Sequence, residues 1–146
     1  MRVKNVKGFT LIELMVVIVI LGILAGFIMP KILSRPEEAR RIKAQVQIKN
    51  LEAALALYKL DTGGYPSTEE GLEALVARPS NARRWKTGGY LEKNKVPPDP
   101  WGNRYVYISP GVQNTDYDII SYGKDGVNGG ENEDRDVTSW DEDESY

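Results

Sequence analysis

Residues 9–29 read FTLIELMVVIVILGILAGFIM, an apolar run in which Glu13 is the single charged residue. At about 1.5 Å per helical residue, a run of this length can cross a hydrocarbon core of about 30 Å. Basic residues precede it at Arg2, Lys4 and Lys7, and such a bias places the amino terminus in the cytoplasm. The run therefore predicts a single-pass membrane helix, with the rest of the chain on the other side.

Two simpler interpretations of this run fit less well. A secretory signal peptide has an apolar core of about 7–15 residues followed by a small-residue cleavage site, whereas this run is longer and continues into Pro30. A plain membrane anchor leaves Glu13 unexplained, because a carboxylate near hydrocarbon costs roughly 2.5–3.5 kcal/mol. We therefore expect the Glu13 carboxylate to have a partner.

The next segment, residues 37–60, reads EEARRIKAQVQIKNLEAALALYKL and has the pattern of an amphipathic helix. Pro36 suits its first turn, and Gly63 is placed to end it. The apolar positions recur at steps of four and three, which predicts a single core-facing stripe. The members of this predicted stripe are Ala44, Ile48, Leu51, Leu55 and Tyr58.

The segments after the helix predict a small sheet. Ser67 or Thr68 is a suitable cap for a short second helix that ends near Val76. Residues 104–108 and 117–121 alternate in the manner of antiparallel strands. Because the helices come first and the strands follow, the order predicts an α+β fold with a small antiparallel sheet. We expect the apolar run and the amphipathic segment to form one long, bent N-terminal helix, with a membrane-spanning half and an amphipathic half that packs on the sheet.

The composition limits the chemistry that this chain can perform. Its 146 residues include no Cys and no His, and its formal net charge is -2. The absence of Cys and His rules out thiol nucleophiles, Ser-His pairs and the common zinc ligand sets, and nothing in the overall charge indicates nucleic-acid binding. The sequence also contains no G-x-S-x-G, P-loop or H-E-x-x-H motif. We therefore expect a protein that is not an enzyme.

The segment YGKDGVNGGENEDRDVTSW, residues 122–140, is rich in Gly, Asn and Asp. Its carboxylates and carbonyls are oxygen ligands of the kind that calcium prefers. It is not an EF-hand, because Val127 and Gly129 occupy the third and fifth positions counted from Asp125. Composition alone favours a flexible acidic loop over a metal site, and the tail DEDESY, residues 141–146, is expected to be solvated.

The octapeptide KGFTLIEL, residues 7–14, resembles the type III signal shared by type IV pilins and type II secretion pseudopilins. The resemblance implies that a prepilin peptidase cleaves between Gly8 and Phe9 and that the new Phe9 amine is N-methylated. It also implies that Glu13 meets this amine on a neighbouring subunit during assembly. An ammonium and a carboxylate attract strongly in a low dielectric, and each reduces the burial penalty of the other.

Four further segments are similar to the major pseudopilins of type II secretion systems, and with the leader they cover most of the chain. Type IV pilins usually end in a disulfide-bounded loop, which a chain without Cys cannot form. The segments are DTGGYPSTEEGLEAL at 61–75, GGYL at 88–91, DPWGNRYVY at 99–107 and YDIISYGKDG at 117–126.

This second resemblance implies a structural subunit of the periplasmic pseudopilus that drives protein export. The expected organisation is a leader at residues 1–8, a transmembrane and assembly helix at 9–30, and a periplasmic head at 31–146. The subunit would sit in the inner membrane with its head in the periplasm before it enters the filament. The implied partners are further copies in a helical homopolymer, minor pseudopilins, prepilin peptidase, the inner-membrane assembly platform and the membrane itself, with no nucleic acid.

The resemblance also implies a calcium ion in the acidic loop. Carried over by position, Asp125 and Asp136 match the carboxylate ligands of the family. The backbone carbonyls of Tyr122 and Val127 are additional ligands. Because NEDR stands ahead of Asp136 in place of a shorter linker, Asp134 competes with it as a ligand.

Two alternatives remain at this stage. One is a type IV pilin, which the missing Cys residues disfavour. The other is a membrane-anchored periplasmic enzyme or binding module, with a ligand groove lined by aromatic side chains. The candidates for that groove are Trp85, Trp101, Tyr105 and Tyr107, although such aromatic residues more often pack in a core.

Overall fold

The computed structural model describes residues 8–141, apart from the side chains of residues 25–35 and of Glu133. All of the predicted leader except Gly8 therefore lies outside the described residues. The chain forms two compact units, Met1–Glu37 and Glu38–Tyr146. Within the described part of the chain, no helix combines the length and the apolar character of a bilayer-crossing segment.

Helix α1 runs from Leu11 to Thr62. At its start, the Glu13 N–H donates to Thr10 Oγ1 at 3.3 Å, so Thr10 satisfies one of the N–H groups that a helix leaves unpaired. At its end, Gly63 adopts φ +91° and its N–H donates to the Lys59 carbonyl at 2.8 Å. The predicted stop at Gly63 is confirmed, and its cause is a left-handed cap that favours glycine.

The prediction of one long N-terminal helix is confirmed, because α1 continues from the apolar segment into the amphipathic segment. Pro36 does not begin a separate helix, since α1 passes through Pro30 and Pro36 without interruption. A proline removes one backbone donor and is unfavourable in a helix interior by about 3 kcal/mol. Helix α1 is continuous despite this penalty.

The predicted core-facing stripe of α1 is confirmed. All five of its residues are at most 4% exposed. They pack against apolar residues of the loops and the sheet that lie far along the sequence. The buried members of this core outside α1 are Leu72, Ala74, Leu75, Tyr90, Tyr105, Tyr107, Ile119 and Val137.

The sheet has three antiparallel strands in the order β1-β2-β3. The strands are β1 (Val106–Ile108), β2 (Asp118–Ser121) and β3 (Val137–Thr138), and β2 pairs with both of the others. The two predicted strands are confirmed with ends one or two residues shorter. The sequence pattern missed β3, because two residues are too few to show an alternation.

The short second helix is the least accurate of the predicted elements. Ser67 and Glu70 do form a reciprocal cap, in which the Ser67 N–H donates to Glu70 Oε2 at 2.9 Å and the Glu70 N–H donates to Ser67 Oγ at 3.2 Å. The chain then reaches Gly71 at φ +59°, and only a 3-10 helix follows, at Leu72–Leu75. A left-handed residue directly after the cap prevents the turn from continuing as an α-helix.

The aromatic residues that could have lined a ligand groove are engaged by the fold. The Tyr105 hydroxyl donates to Gln47 Oε1 and the Tyr107 hydroxyl donates to the Pro66 carbonyl, each at 2.9 Å. Burial raises the pKa of Tyr107 to about 12. Trp85 is partly buried against the same core. These side chains therefore hold the head together.

A buried carboxylate organises the loop between β1 and β2. Asp118 is 1% exposed. Its Oδ2 accepts from the N–H groups of Val112 at 2.6 Å and Gln113 at 2.8 Å, and its Oδ1 accepts from the Asn114 N–H at 2.9 Å. Burial alone would raise the pKa of Asp118, but these backbone donors outweigh it and hold the pKa below its ordinary value.

We expect Asp118→Asn to destabilise the head by roughly 2–3 kcal/mol at pH 7, because an amide nitrogen then faces N–H donors that lose their acceptor. The folded-state pKa lies below the unfolded value. The stabilisation is therefore present above an unfolded pKa of about 3.9 and is lost as the pH falls through the folded-state pKa. Urea unfolding of fragment 38–146 should show the difference from the wild type shrinking below about pH 4.

Asp116→Asn is the matched control, because Asp116 lies on the same loop and makes an exposed ion pair with Lys59 at 3.6 Å. Such a pair contributes about 0–1 kcal/mol. Equal destabilisation by the two substitutions, or a difference independent of pH, would contradict the role given to Asp118.

Candidate functional site

The acidic loop joins β2 to β3 and is closed at its base by the sheet. Ser121 pairs with Val137 across the two strands. Tyr122 follows Ser121 in sequence and Asp136 precedes Val137, so the pairing brings these two candidate ligands to the same end of the sheet. The sequence alone could not predict this closure, because β3 was not visible in the pattern.

Asp136 is a partly buried carboxylate with one satisfied and one unsatisfied oxygen. Its Oδ2 accepts from the Gly129 N–H at 2.9 Å. Its Oδ1 is buried and has no hydrogen-bond partner among the described residues. Burial raises the pKa of Asp136, and the negative charge of Asp125 raises it further against the opposing effects of the Gly129 N–H and of Arg41. An unpaired buried carboxylate oxygen is unfavourable, and a cation would relieve it.

The first half of the loop folds around Asp125. Its Oδ1 accepts from the Val127 N–H at 3.1 Å. The Tyr122 carbonyl accepts from the Gly126 N–H at 3.2 Å, and Gly126 adopts φ +69°, which favours glycine. The loop thus holds Asp125 close enough to Asp136 for their charges to interact.

Asp134 lies beside Gly130 in the second half of the loop. It ends a 3-10 helix, Asn132–Asp134, and its backbone carbonyl lies so close to Gly130 that a side chain at Gly130 would collide with it. The acidic groups whose charges raise the pKa of Asp136 are Asp125 and Asp141. The charge of Asp125 therefore acts on Asp136, and the role of Asp134 as a competing ligand stays a prediction.

Sequence reasoning missed Arg41, which ties the loop to α1. The Arg41 guanidinium donates from one nitrogen to the Arg135 carbonyl and from another to the Asp136 carbonyl, the latter at 3.3 Å. Its positive charge also lowers the pKa of Asp136. Nothing in the sequence predicts this contact, because an Arg on an amphipathic helix is ordinary.

Asn103 and Asp99 bind the first residues of the loop and the end of β2. Asn103 Nδ2 donates to the Gly123 carbonyl at 3.0 Å. Asp99 Oδ1 accepts from the Asn103 N–H at 2.7 Å, and its Oδ2 accepts from Ser121 Oγ at 2.6 Å. The segment 99–107 was noticed only for its resemblance, although a buried Asp in a Pro- and Gly-containing turn is a recognisable organising residue.

The donor set at this loop consists of oxygen atoms. Two carboxylates, of Asp125 and Asp136, interact electrostatically, and the Tyr122 carbonyl lies at the base of the loop. Among the described residues, no three acidic side chains meet as a preformed metal cluster.

The second candidate site is the amino-terminal end of α1. Gly8 is exposed, and a Cβ built on it would meet nothing within 4 Å. Phe9 is 82% exposed, and Glu13 lies in the first turn of α1. This position is favourable for a carboxylate, because the helix N-terminus carries partial positive charge. Glu13 is therefore presented at the same end of the helix as the predicted new amine.

Family comparison matches two parts of the chain. Residues 31–140 match the family described as type II secretion system protein G. Residues 3–29 match the prokaryotic N-terminal methylation motif. Together these matches cover the predicted leader, the assembly helix and the head.

Individual relatives agree with the family matches. The type II secretion system core protein G of Pseudomonas aeruginosa is 48% identical over 144 residues, which are 97% of this chain and 99% of the relative. The protein of the same name from Vibrio cholerae is 48% identical, over 95% of this chain and 94% of the relative.

A solved structure matches as well. It is the major pseudopilin from the type 2 secretion system of enterohaemorrhagic Escherichia coli, which is 38% identical with a TM-score of 0.63. The match covers 74% of this chain and 92% of that one. These findings confirm the prediction of a structural secretion subunit that is not an enzyme, and they do not favour a type IV pilin. The chain therefore belongs to the type II secretion system protein G family of major pseudopilins.

Proposed function

We propose that this chain is inserted in the inner membrane, loses residues 1–8, and polymerises through its amino-terminal helix into the periplasmic pseudopilus. The match of residues 3–29 to the N-terminal methylation motif supports processing between Gly8 and Phe9. Pseudopilin identity implies self-assembly. Prepilin peptidase, the assembly platform and minor pseudopilins are the partners that this route requires.

In this proposal, Glu13 directs the register of assembly. The segment Leu11–Leu24 carries no basic residue, so a buried Glu13 needs a cation from elsewhere. The new Phe9 amine of a neighbouring subunit supplies one. Pairing the two groups reduces the penalty of burying either charge in an apolar filament core.

We further propose that the acidic loop holds a calcium ion that stabilises the head. The single observation that carries this proposal is the buried, unpartnered Oδ1 of Asp136 beside the negative charge of Asp125. Carboxylate and carbonyl oxygens are the hard ligands that calcium takes in flexible geometry. Calcium would neutralise two like charges and supply the missing partner of Asp136.

The proposed ligands are ranked by their expected contribution to calcium binding. Asp125 and Asp136 come first because their charges interact, and the carbonyls of Tyr122 and Val127 complete the set. Asp134 comes last, because the resemblance matches Asp125 and Asp136 to the carboxylate ligands of the family and offers Asp134 only as a competitor. Arg41 and Asn103 hold the loop without being ligands, since cationic and amide donors bind its carbonyls.

We expect Gly8→Val to block processing, because a prepilin peptidase must accommodate the residue on the leader side of the bond and Val adds a branched side chain there. The chain should keep residues 1–8, should lack the added methyl group, and should form no filaments. Intact mass of protein purified from its own membranes, together with the yield of sheared filaments, measures both effects.

Gly8→Ala is the matched control, because Ala remains small and should slow cleavage only mildly. A wild-type mass that still includes residues 1–8 in cells with active prepilin peptidase would contradict this part of the proposal. Normal filament yield from an uncleaved Gly8→Val chain would contradict the requirement for processing.

A further inference from the structure

The head carries a loop in which every charged side chain is positive, and we call residues 78–86 the basic loop. No acidic residue stands between Glu73 and Glu92, although the chain as a whole has a net charge of -2. An exposed patch of one sign attracts groups of the opposite sign. The basic residues of this loop, all of them exposed, are Arg78, Arg83, Arg84 and Lys86.

The fold fixes the backbone of the basic loop and leaves most of its cations unused. Arg78 donates to carbonyl groups within the loop itself. The Trp85 indole N–H donates to the Ala74 carbonyl at 2.9 Å, which ties the loop to the core. Three side chains of the loop have no hydrogen bond or ion pair with any residue that the structure describes, and these are Arg83, Arg84 and Lys86.

Two carboxylates border the basic loop, and both are already bound by neutral donors. Glu70 accepts from Asn81 Nδ2 at 2.7 Å and from the Ser67 N–H at 2.9 Å. Asp61 accepts from the Tyr90 hydroxyl at 2.9 Å. Neither carboxylate forms an ion pair with the loop, so the positive charge of the loop is not compensated by the described part of the head.

The chain itself contains a short segment of the opposite charge. Residues 142–146, EDESY, lie outside the described residues and include Glu142, Asp143 and Glu144 but no basic residue. Arg and Lys side chains bind carboxylates through charge-assisted hydrogen bonds. Three consecutive carboxylates therefore complement the three unpaired cations of the basic loop.

The geometry of the head favours the tail of another copy. The tail follows Asp141, which is held at β3 because its Oδ2 accepts from the Thr138 N–H at 3.1 Å. The basic loop is bonded to Glu70, and the Thr68 hydroxyl of the same turn donates to the Ser109 carbonyl, just after β1, at 3.0 Å. Strands β1 and β3 are opposite edges of the sheet, about 10 Å apart. Five residues span at most about 17 Å, and in the same copy they would have to cross the sheet and this turn first.

We propose that the basic loop of one copy binds the acidic tail, residues 142–146, of a second copy of this chain. The inference rests on the proposed polymerisation and adds a contact between heads. The loop and the tail are different surfaces, so the contact can repeat from each copy to the next along a filament. Because the contact is exposed to solvent, it weakens as the salt concentration rises.

Carbodiimide coupling of sheared filaments tests this contact, because the reagent joins an amine directly to an adjacent carboxylate. Two full-length forms with different epitope tags are expressed together. The first keeps Lys86 and carries Glu142→Gln, Asp143→Asn and Glu144→Gln. The second keeps the tail and carries Lys86→Arg, which preserves the charge and removes the amine. A link between Lys86 and residues 142–144 then forms only between copies, and mass spectrometry of the linked peptides should detect it.

The contribution of charge is tested in the form that keeps Lys86. Arg83→Gln combined with Arg84→Gln removes two cations and retains the reporting amine, so the yield of the link should fall at least about fivefold. Arg104→Gln, which removes an exposed cation of the head outside the basic loop, is the matched control and should leave the yield unchanged. An increase from about 0.1 M to about 1 M salt should lower the yield as well, because it shortens the screening length from about 10 Å to about 3 Å.

Four outcomes would overturn the inference. Equal coupling of the tail to Lys86 and to the exposed Lys43 of α1 would show nonspecific attraction. A link in wild-type filaments that is lost from the mixed filaments would show that the tail binds its own head. Coupling of Lys86 to a different protein, with none to the tail, would assign the basic loop to another partner. Absence of the link from normal wild-type filaments would refute this inference alone, whereas absence of wild-type filaments would refute the proposed polymerisation and this inference with it.

Discussion

Removal of calcium is expected to lower the melting temperature of fragment 38–146 by about ten degrees or more. A ligand that binds only the folded state contributes about 4 kcal/mol at a thousandfold excess over its Kd, and a change of that size is a large share of the 5–15 kcal/mol typical of a domain. Differential scanning fluorimetry with calcium and with a chelator measures the shift. Magnesium should restore little of it, because Mg²⁺ demands compact octahedral geometry and gives up water reluctantly.

Two substitutions should remove this calcium response by different routes. Asp125→Ala deletes a charged ligand that the loop carbonyls cannot replace. Asp136→Asn keeps the size of the side chain and an acceptor for the Gly129 N–H, but it removes the charge. Because burial and the Asp125 carboxylate raise the pKa of Asp136, the neutral side chain should not lower the melting temperature in chelator. We therefore expect Asp136→Asn to melt in chelator at the same temperature as the wild type, but to show no increase in melting temperature when calcium is added.

Two control substitutions distinguish a specific calcium site from nonspecific attraction of calcium to the acidic residues of the chain. Asp134→Ala should reduce the calcium response less than Asp125→Ala does. Substitution of Asp143 in the acidic tail should leave the response unchanged. Equal melting temperatures of the wild type with calcium and with chelator would refute the metal assignment, although the family assignment would stand.

The second large effect is expected at Glu13. Glu13→Ala should leave membrane insertion and cleavage intact and should abolish or severely reduce filament formation and secretion. The reason is that each Phe9 ammonium would then face apolar neighbours without a counter-charge. Sheared filament yield and the amount of exported protein measure the effect, and intact mass checks that processing is normal.

Glu13→Gln distinguishes assembly from a local helical role. The Glu13 N–H donates to Thr10 Oγ1, and a Glu or Gln three residues after a Thr cap can stabilise a helix start in the same way. Gln preserves that possibility and removes the charge, so it should fail in assembly as Ala does. Normal filaments from Glu13→Gln would show that the charge is not an assembly contact.

Several features of the fold could be predicted from short stretches of sequence, because they depend on interactions between residues that are close along the chain. The helical period put Ile48, Leu51 and Leu55 on one face, and the structure buries all three. Gly63 ends α1 as predicted, because a left-handed cap depends on one residue and its neighbours. The family could also be recognised from the sequence, since the KGFTLIEL segment and the Gly-rich turns are contiguous.

Prediction from short stretches failed where a single residue changed the course of a predicted helix. The Ser67 cap forms as predicted, yet Gly71 stops the α-helix that it should begin. Gly71 has a positive φ, which ends the turn that the Ser67 cap starts. Pro36 suits a first helical turn, yet it lies inside α1, which is continuous there as the prediction of one long helix requires.

By itself, the sequence determined the family, the α+β order of elements, the core face of α1 and the candidate acids Asp125 and Asp136. Only the tertiary structure decided that β3 closes the acidic loop, that Arg41 and Asn103 bind its two ends, and that Asp136 keeps an unpartnered buried oxygen. These contacts join residues that are distant along the chain. A periodic pattern reports which face of an element is apolar, whereas the partner of a single polar atom depends on how the elements pack.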